Sequence, residues 1–457
     1  MRTLDRYVLR SFLSAVGMWF VVFMALRIVT DLFVNMDEFA KLGLPFGELV
    51  RYVATYYGYQ SLAYFTELGG VIIVAAAAFT LAMMNHTNEL TAILASGVSL
   101  YRVVVPIVAC SVLLSGLIVL DQEMVIPRVA EMLVRDRDDV YGRNRFQVRL
   151  INDSEGTLWY SPAFLPHEEV MERPVAIVRD KDARPVARVT GRLAEPRTAD
   201  GRSGWLFTDG VLSRLRSTDQ PWEKPPRWNA VYSTVGPGAL LEARGQASDG
   251  NGPFLDPNLP DPAYGMVLRA SRFEPAPRAG RRSAGGTLVH PRFIFREPDG
   301  RMLGAFVADS AQWKTDDRGK GYWALEEGKF FCPSDLTVDD LVLRRSDRWL
   351  QYMSTEDLTR LIRLRRSSDV QAALLTRHTR FTDPVNNLVM LLLGLPFILS
   401  RERNIKASAT LCLLMVVTFF VFIYLCRTLG LPPSLAAWLP ILLFGPVAAV
   451  MFDSIKT

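Results

Sequence analysis

Residues 69–84 read Gly69-Gly-Val-Ile-Ile-Val-Ala-Ala-Ala-Ala-Phe-Thr-Leu-Ala-Met-Met84, a run with no charged side chain. The chain continues through a short polar stretch, Asn85-His-Thr-Asn-Glu89-Leu-Thr-Ala-Ile-Leu-Ala-Ser-Gly97-Val-Ser99, into a second charge-free run at 103–120. Apolar or small neighbours can extend each run to the roughly 20 residues that cross about 30 Å of hydrocarbon. Only a helix satisfies its own backbone in lipid at that length, so both read as membrane spans. Four further charge-free runs lie at 11–26, 384–400, 408–426 and 434–452. The predicted fold is an α-helical membrane protein with six transmembrane helices, three near each end. Six buried helices of a large soluble core are the alternative, but core helices rarely lack charge all round for so long.

The whole-chain averages hide this. Among 457 residues, 49% are hydrophobic and 22% charged, figures close to those of a soluble protein. The apolar residues are concentrated at the two ends. Lysine and arginine in the short loops set the expected orientation. With the N-terminus inside, Arg2, Arg6, Arg10, Arg102, Arg401, Arg403, Lys406 and Lys456 are cytoplasmic, against Arg27, Lys41, Arg51 and Arg427 outside. Both termini are therefore expected in the cytoplasm. Arg128, Arg135, Arg377 and Arg380, outside near helix ends, weaken the contrast. The first run has a basic start like a signal peptide, but no small-residue cleavage site follows and it is expected to be retained.

Residues 121–380 differ in character, with most of the charges and prolines and many alternating stretches. Residues 175–180, 184–189 and 292–296 read as short strands, with turn signals such as Asp299-Gly300. An extracytoplasmic, mainly β domain is expected, and its Pro/Gly-rich part at 246–282, with Pro253, Pro257, Pro260 and Pro262, is expected to form a long loop. A weak repeat runs through it. Val175-Ala-Ile-Val-Arg-Asp180 leads to Trp205-Leu-Phe-Thr-Asp-Gly210, and Phe293-Ile-Phe-Arg-Glu-Pro298 leads at equal spacing to Trp323-Ala-Leu-Glu-Glu-Gly328. Each unit reads as strand, turn, strand, polar turn, then an aromatic strand ending in glycine, which favours a sandwich or jelly roll.

Chemical motifs are sparse. His86, His167, His290 and His378 have no metal-ligand spacing, and Cys332 is the one cysteine outside the spans, where Cys110, Cys412 and Cys426 lie. Neither G-x-S-x-G nor a Walker A sequence is present. A membrane-anchored envelope enzyme is therefore disfavoured. Stretch 85–99 is more informative. Thr87 or Asn88 could cap a short helix with Leu90, Ile93 and Leu94 on one face, stopped by Gly97, and Glu89 suits its first turn. Such a helix either lies in the membrane interface or couples the spans to a cytoplasmic motor. The residues alone leave both readings open.

Asn88-Glu-Leu-Thr-Ala-Ile-Leu-Ala-Ser-Gly-Val-Ser99 resembles the coupling-helix signature of the LptF/LptG lipopolysaccharide-export permeases. Asp5-Arg-Tyr-Val-Leu-Arg-Ser-Phe12 is similar to that family's basic N-terminal helix. Arg380-Phe-Thr-Asp-Pro-Val385 with Leu393-Gly-Leu-Pro-Phe397, and Leu431-Pro-Pro-Ser-Leu-Ala-Ala-Trp-Leu-Pro440, are similar to the openings of its fourth and last spans. The resemblance covers all six spans in order. It implies a permease with no covalent chemistry, working with a second LptF/LptG-type permease on a cytoplasmic ABC ATPase dimer. The pair extracts lipopolysaccharide, or a related envelope lipid, and passes it through periplasmic jelly rolls to an LptC/LptA-like bridge. It implies that Glu89 meets the ATPase while Leu90, Leu94 and Gly97 shape the docking surface. No cofactor is expected on this chain, ATP and Mg being used by the partner, and no nucleic acid is expected.

The sequence also departs from the family. Where some members carry lysines that meet lipid phosphates, this chain has Arg27-Ile-Val-Thr-Asp31-Leu-Phe-Val-Asn-Met-Asp37-Glu38, which makes Arg27 and Asp31 the candidate substrate contacts or else ordinary flanking residues. The expected organisation is 1–121 (three spans, with the coupling helix near 87–97), 122–354 (a jelly-roll-like β domain) and 355–457 (a linker helix and three spans). Residues 45–57 are expected to lie as a helix in the outer interface, and 355–380 to form one helix into the fourth span. The small residues Gly69, Gly70 and 75–78 permit helix packing or a cavity wall. The competing function is a scaffold protein of the envelope whose β domain binds a partner without moving lipid.

Overall fold

The computed structural model describes residues 3–139, 142–180, 182–199, 201–214, 228–247, 254–276, 285–296, 300–363, 369–399 and 405–453. Arg2, Arg401, Arg403 and Lys456, together with parts of the expected 246–282 loop, lie outside them. The chain divides into Met1–Val140 with Ser346–Thr457, and Tyr141–Arg345. Helices α1 (Thr3–Val34), α2 (Met36–Ala40), α3 (Phe46–His86), α4 (Glu89–Ala95), α5 (Leu100–Leu120) and α6 (Ile126–Leu133) precede the β strands. Helices α7 (Pro237–Ala247) and α8 (Val338–Leu343) belong to the β unit. Then come α9 (Trp349–Tyr352), α10 (Thr355–Arg363), α11 (Val370–Leu399), α12 (Ile405–Thr428) and α13 (Pro433–Asp453).

Among the described residues six helices are long and apolar enough to cross a membrane, three before the β unit and three after it. This is the expected architecture. Spans 2, 3 and 4 form the centre of the bundle, with 56%, 39% and 50% of their apolar windows buried, whereas spans 1, 5 and 6 flank it at 17%, 17% and 22%. The small residues of α3 let the centre close. A Cβ on Gly69 would overlap Ile118 of α5, and one on Gly70 would overlap Asn387 of α11. Ala76 and Ala77 are in the core, so packing takes one face of the stripe.

Two expectations about flanking helices are corrected. Residues 45–57 do not form a separate interfacial helix, because α3 runs unbroken for 41 residues, about 60 Å. Tyr57, Gln60 and Tyr64 turn inward along it, so the continuation is held by burial. Residues 355–380 are likewise not one helix. Helix α10 starts at Thr355, where the Glu123 carboxylate accepts from the Thr355 amide and hydroxyl (2.9 and 2.5 Å), but it spans Thr355–Arg363, and α11 begins at Val370 after a turn at Asp369. The third span also outruns its charge-free core. After α5 one turn widens to a π-helix at Asp121–Val125, and Asp121 is buried, accepting from Thr66 (3.2 Å).

The β unit holds β1 (Phe146–Asn152), β2 (Leu158–Leu165), β3 (Val170–Glu172), β4 (Val175–Arg179), β5 (Pro185–Thr190), β6 (Leu193–Ala199), β7 (Arg202–Thr208), β8 (Val211–Arg214) and β9 (Ala230–Tyr232). After α7 come β10 (Phe254–Leu255), β11 (Asn258–Asp261), β12 (Met266–Arg269), β13 (Arg272–Pro275), β14 (Gly286–Val289) and β15 (Arg292–Arg296). The last four are β16 (Met302–Val307), β17 (Ser310–Thr315), β18 (Gly321–Glu326) and β19 (Lys329–Pro333). All pairings are antiparallel. The described part of 246–282 is thus not a loop but carries four short strands.

The repeat is real and larger than its motifs. Hairpins β4–β5 and β6–β7 match β15–β16 and β17–β18. The amide of Gly191 donates to the Pro174 carbonyl just as that of Ala308 donates to Pro291. Arg173 and His290 share φ of 46° and 47°, and Asp209 and Glu327 share 48° and 50°. The expected polar turn is a strand in both halves, β6 and β17, each with a single buried residue, Ala194 or Ala311. The terminal glycines make room. A Cβ on Gly210 would overlap the Thr190 carbonyl and the Trp228 ring, and one on Gly328 would overlap the Trp228 carbonyl.

The two halves exchange segments. Strand β9, from the first half, pairs with β18 of the second, while β19, from the second, pairs with β7 of the first. The same trio fastens each crossing. Ser334 donates to Asp153 (2.8 Å) and Trp205 to the Leu336 carbonyl (3.0 Å). Ser233 donates to Asp261 (2.8 Å) and Trp323 to the Val235 carbonyl (3.0 Å). Burial pushes the Asp153 carboxyl up to about 6, although Trp159, Ser334 and the Thr157 amide all donate to it. Burial likewise raises the Cys332 thiol well above its ordinary value, which leaves it unreactive.

Candidate functional site

The start of α1 and the short helix α4 meet at one end of the helical unit. Asn88 precedes α4 in a left-handed conformation (φ 58°) with no side-chain cap, and the Thr87 hydroxyl donates back to Met83, so neither expected cap forms. The stop is as expected. Gly97 takes φ 79°, its amide donates to the Leu94 carbonyl and the Val98 amide to that of Ile93, the paired bonds of a Schellman motif. Leu90 is buried and Leu94 half-buried against the bundle core. Both brace the helix from behind, and its open face is Thr91, Ala92, Ala95 and Ser96.

Glu89 is not isolated. The Tyr7 hydroxyl of α1 donates to its carboxylate at 2.7 Å. Next to it, Asp5 of α1 pairs with Arg102 at the start of α5 (3.9 Å). The first turn of α1 therefore bonds to both sides of the α4 loop. Nothing in the sequence motif pointed to Tyr7 in this role, since Tyr7 and Glu89 are 82 positions apart.

A cavity of about 390 Å³ opens among α1, α3, α11 and α12. Its wall is Trp19 and Phe23 of α1, Val71, Val74, Ala75, Ala78, Phe79, Ala82 and Asn85 of α3, Ile398 of α11, and Cys412, Leu413 and Val416 of α12. Ala75 and Ala78 are thus the cavity face of the small-residue stripe whose other face packs. The size lies within the range of small-ligand sites, and the wall is almost wholly apolar. It suits a hydrocarbon chain. Among the described residues no group of three His, Cys, Asp or Glu could hold a metal.

The opposite end carries an ion cluster. Asp31, 8% exposed, accepts two nitrogens of Arg137 (Nη2 3.1 Å, Nε 3.4 Å) and the Tyr57 hydroxyl (2.9 Å). Arg137 also reaches Glu38 (3.1 Å). Arg27 lies 3.6 Å from Asp31 and 4.5 Å over the Tyr64 ring. The structure thus brings Arg27 and Asp31 together in a cluster that also holds Arg137 and Glu38, and the sequence motif does not point to Arg137. Tyr52 and Gln60 donate to the carbonyls of Arg137 and Leu133, pinning the same segment to α3. A second clasp joins Arg380 of α11, 5% exposed, to Glu123 at 2.6 Å and to the carbonyls of Gln351 and Met353.

Residues 6–225 and 277–454 match the family described as Lipopolysaccharide export system permease LptF/LptG. The unmatched 226–276 contains β9 to β13. No curated protein matches the chain.

Proposed function

The chain belongs to the LptF/LptG family, the permease subunits of the lipopolysaccharide export system, and from that premise we propose how its own residues do the work. The α4 end faces the cytoplasm, both termini with it, and the β unit lies in the periplasm. A cytoplasmic ABC ATPase dimer docks on the open face of α4 with Glu89 at its edge, Leu90 and Leu94 supporting that face and Gly97 ending it. ATP and Mg stay with the ATPase. Acyl chains of lipopolysaccharide, or a related lipid, occupy the apolar cavity. Spans 1 and 5, the least buried, rim that cavity, and a second permease of the same type meeting them would close it around the lipid. The β unit hands lipid to a periplasmic bridge of LptC/LptA-like proteins.

The observation that carries this reading is the exposed, sharply terminated α4 held on the same helices that wall an apolar cavity. The test is purification of the chain from membranes with its associated proteins. Wild type is expected to retain an ATPase and release lipid on ATP addition, while Glu89→Ala loses both at least tenfold. Unchanged assembly and release in Glu89→Ala would remove the docking role, and an assembly that holds partners but moves no lipid would favour a scaffold. Arg27 and Asp31 enter as a rim that stays neutral until a lipid phosphate draws Arg27 away.

A further inference from the structure

Span 1 poses a mechanical problem. It is among the least buried helices, yet it supplies Trp19 and Phe23 to the cavity wall. A helix held mainly by lipid does not follow a push delivered elsewhere unless something ties it to the point of delivery. Two bonds near its N-terminus supply the tie. Tyr7 donates to Glu89 at 2.7 Å, and Asp5 pairs with Arg102 on the far side of the α4 loop. Behind these bonds Val8 and Phe12 are fully buried in the same cluster as Leu90 and Leu100. Val8, Phe12, Ala15 and Trp19 recur at helical spacing along one face of an unbroken helix. Tyr7 and Trp19 are three turns apart, about 18 Å at 1.5 Å per residue.

We propose that Tyr7 is a positioning residue for the power stroke, its hydroxyl holding the Glu89 carboxylate so that movement of α4 is passed to span 1 and on to the cavity wall. This rests on the docking role of α4 given above. The bond is directional and short, and its acceptor is charged, which makes it stronger than a neutral pair.

The experiment uses the full complex with its ATPase and partner permease in proteoliposomes, reading ATP hydrolysis and lipid release together. Tyr7→Phe removes one oxygen and keeps the ring. The complex is expected to assemble and hydrolyse ATP at the wild-type rate while lipid released per ATP falls about fivefold, the worth of one such bond at a partly exposed site. Glu89→Asp keeps the charge but withdraws it by one methylene, and Tyr7→Phe is expected to cause no further loss in that background. Full lipid release per ATP in Tyr7→Phe overturns the proposal, as does an equal additional loss in Glu89→Asp, or failure to assemble, which would make Tyr7 a folding residue. Failure of the docking reading looks different: Glu89→Ala would then leave both ATPase retention and lipid release intact.

Discussion

Replacing Arg137 with Gln isolates the ion cluster that pins the segment leading into the β unit. The substitution leaves Asp31, 8% exposed, with the Tyr57 hydroxyl at 2.9 Å and Arg27 at 3.6 Å. Removing one partner of a buried pair costs about 3–5 kcal/mol when nothing replaces it. Here Arg137 is 26% exposed on its side chain and Arg27 remains nearby, so about 2–3 kcal/mol is the reasoned loss for Asp31. Glu38, 39% exposed, adds less than about 1 kcal/mol. Asp31→Asn should be milder, near 1 kcal/mol, because Arg137 keeps Glu38. The double variant Asp31→Asn/Arg137→Gln removes both members of the buried pair and is expected to be more stable than Arg137→Gln alone. Thermal unfolding of the full chain in detergent, with proteolysis of the 134–139 segment as a local readout, measures all three. An Arg137→Gln variant as stable as wild type, or a double variant showing the sum of the two single losses, would refute a coupled buried cluster.

Two further outcomes concern the β unit. The Asp153 carboxyl is held near 6 by burial against about 3.9 in an unfolded chain, so between those values the folded state binds a proton that the unfolded state does not. Stability therefore falls as pH rises from about 4 to 6, by an amount on the order of 2–3 kcal/mol. Comparing the melting of wild type and Asp153→Asn by fluorescence of the buried tryptophans checks this: the gap between them should change across that window and be flat above it. Gly210→Ala and Gly328→Ala each press a Cβ onto a backbone carbonyl and should cost about 1–3 kcal/mol, while Gly238→Ala, with open space around it, should cost nothing by melting temperature.

What could be read ahead of the structure follows from the range of each interaction. The spans were legible because lipid solvation is a local property of composition, and the Gly97 stop because a left-handed residue after a short helix is a local requirement. Strands β6 and β17 read as turns in sequence because each fully buries a single residue, so no alternation marks them. The prolines of 246–282 signalled a loop for a sound reason, yet β11 is an edge strand paired only with β12, where Pro260 withholds no needed amide. Tyr57, Arg137 and Tyr7 were silent because their partners lie 26, 106 and 82 positions away.

The exchanged segments of the β unit show why the repeat looked weaker than it is. Trp205 and Trp323 recur in sequence, but each donates to a carbonyl contributed by the opposite half, Leu336 and Val235. Asp153 and Asp261 likewise receive hydroxyls from Ser334 and Ser233, which follow β19 and β9. The residues that complete a half are thus about a hundred positions from where a tandem copy would put them, and the aligned motifs retain only the strands that stay at home. It follows that neither half closes its own core: cutting the chain between β9 and β10 would strand β9 away from β18 and leave Asp261 without its hydroxyls. A duplicated unit built this way is expected to unfold in one cooperative transition rather than half by half.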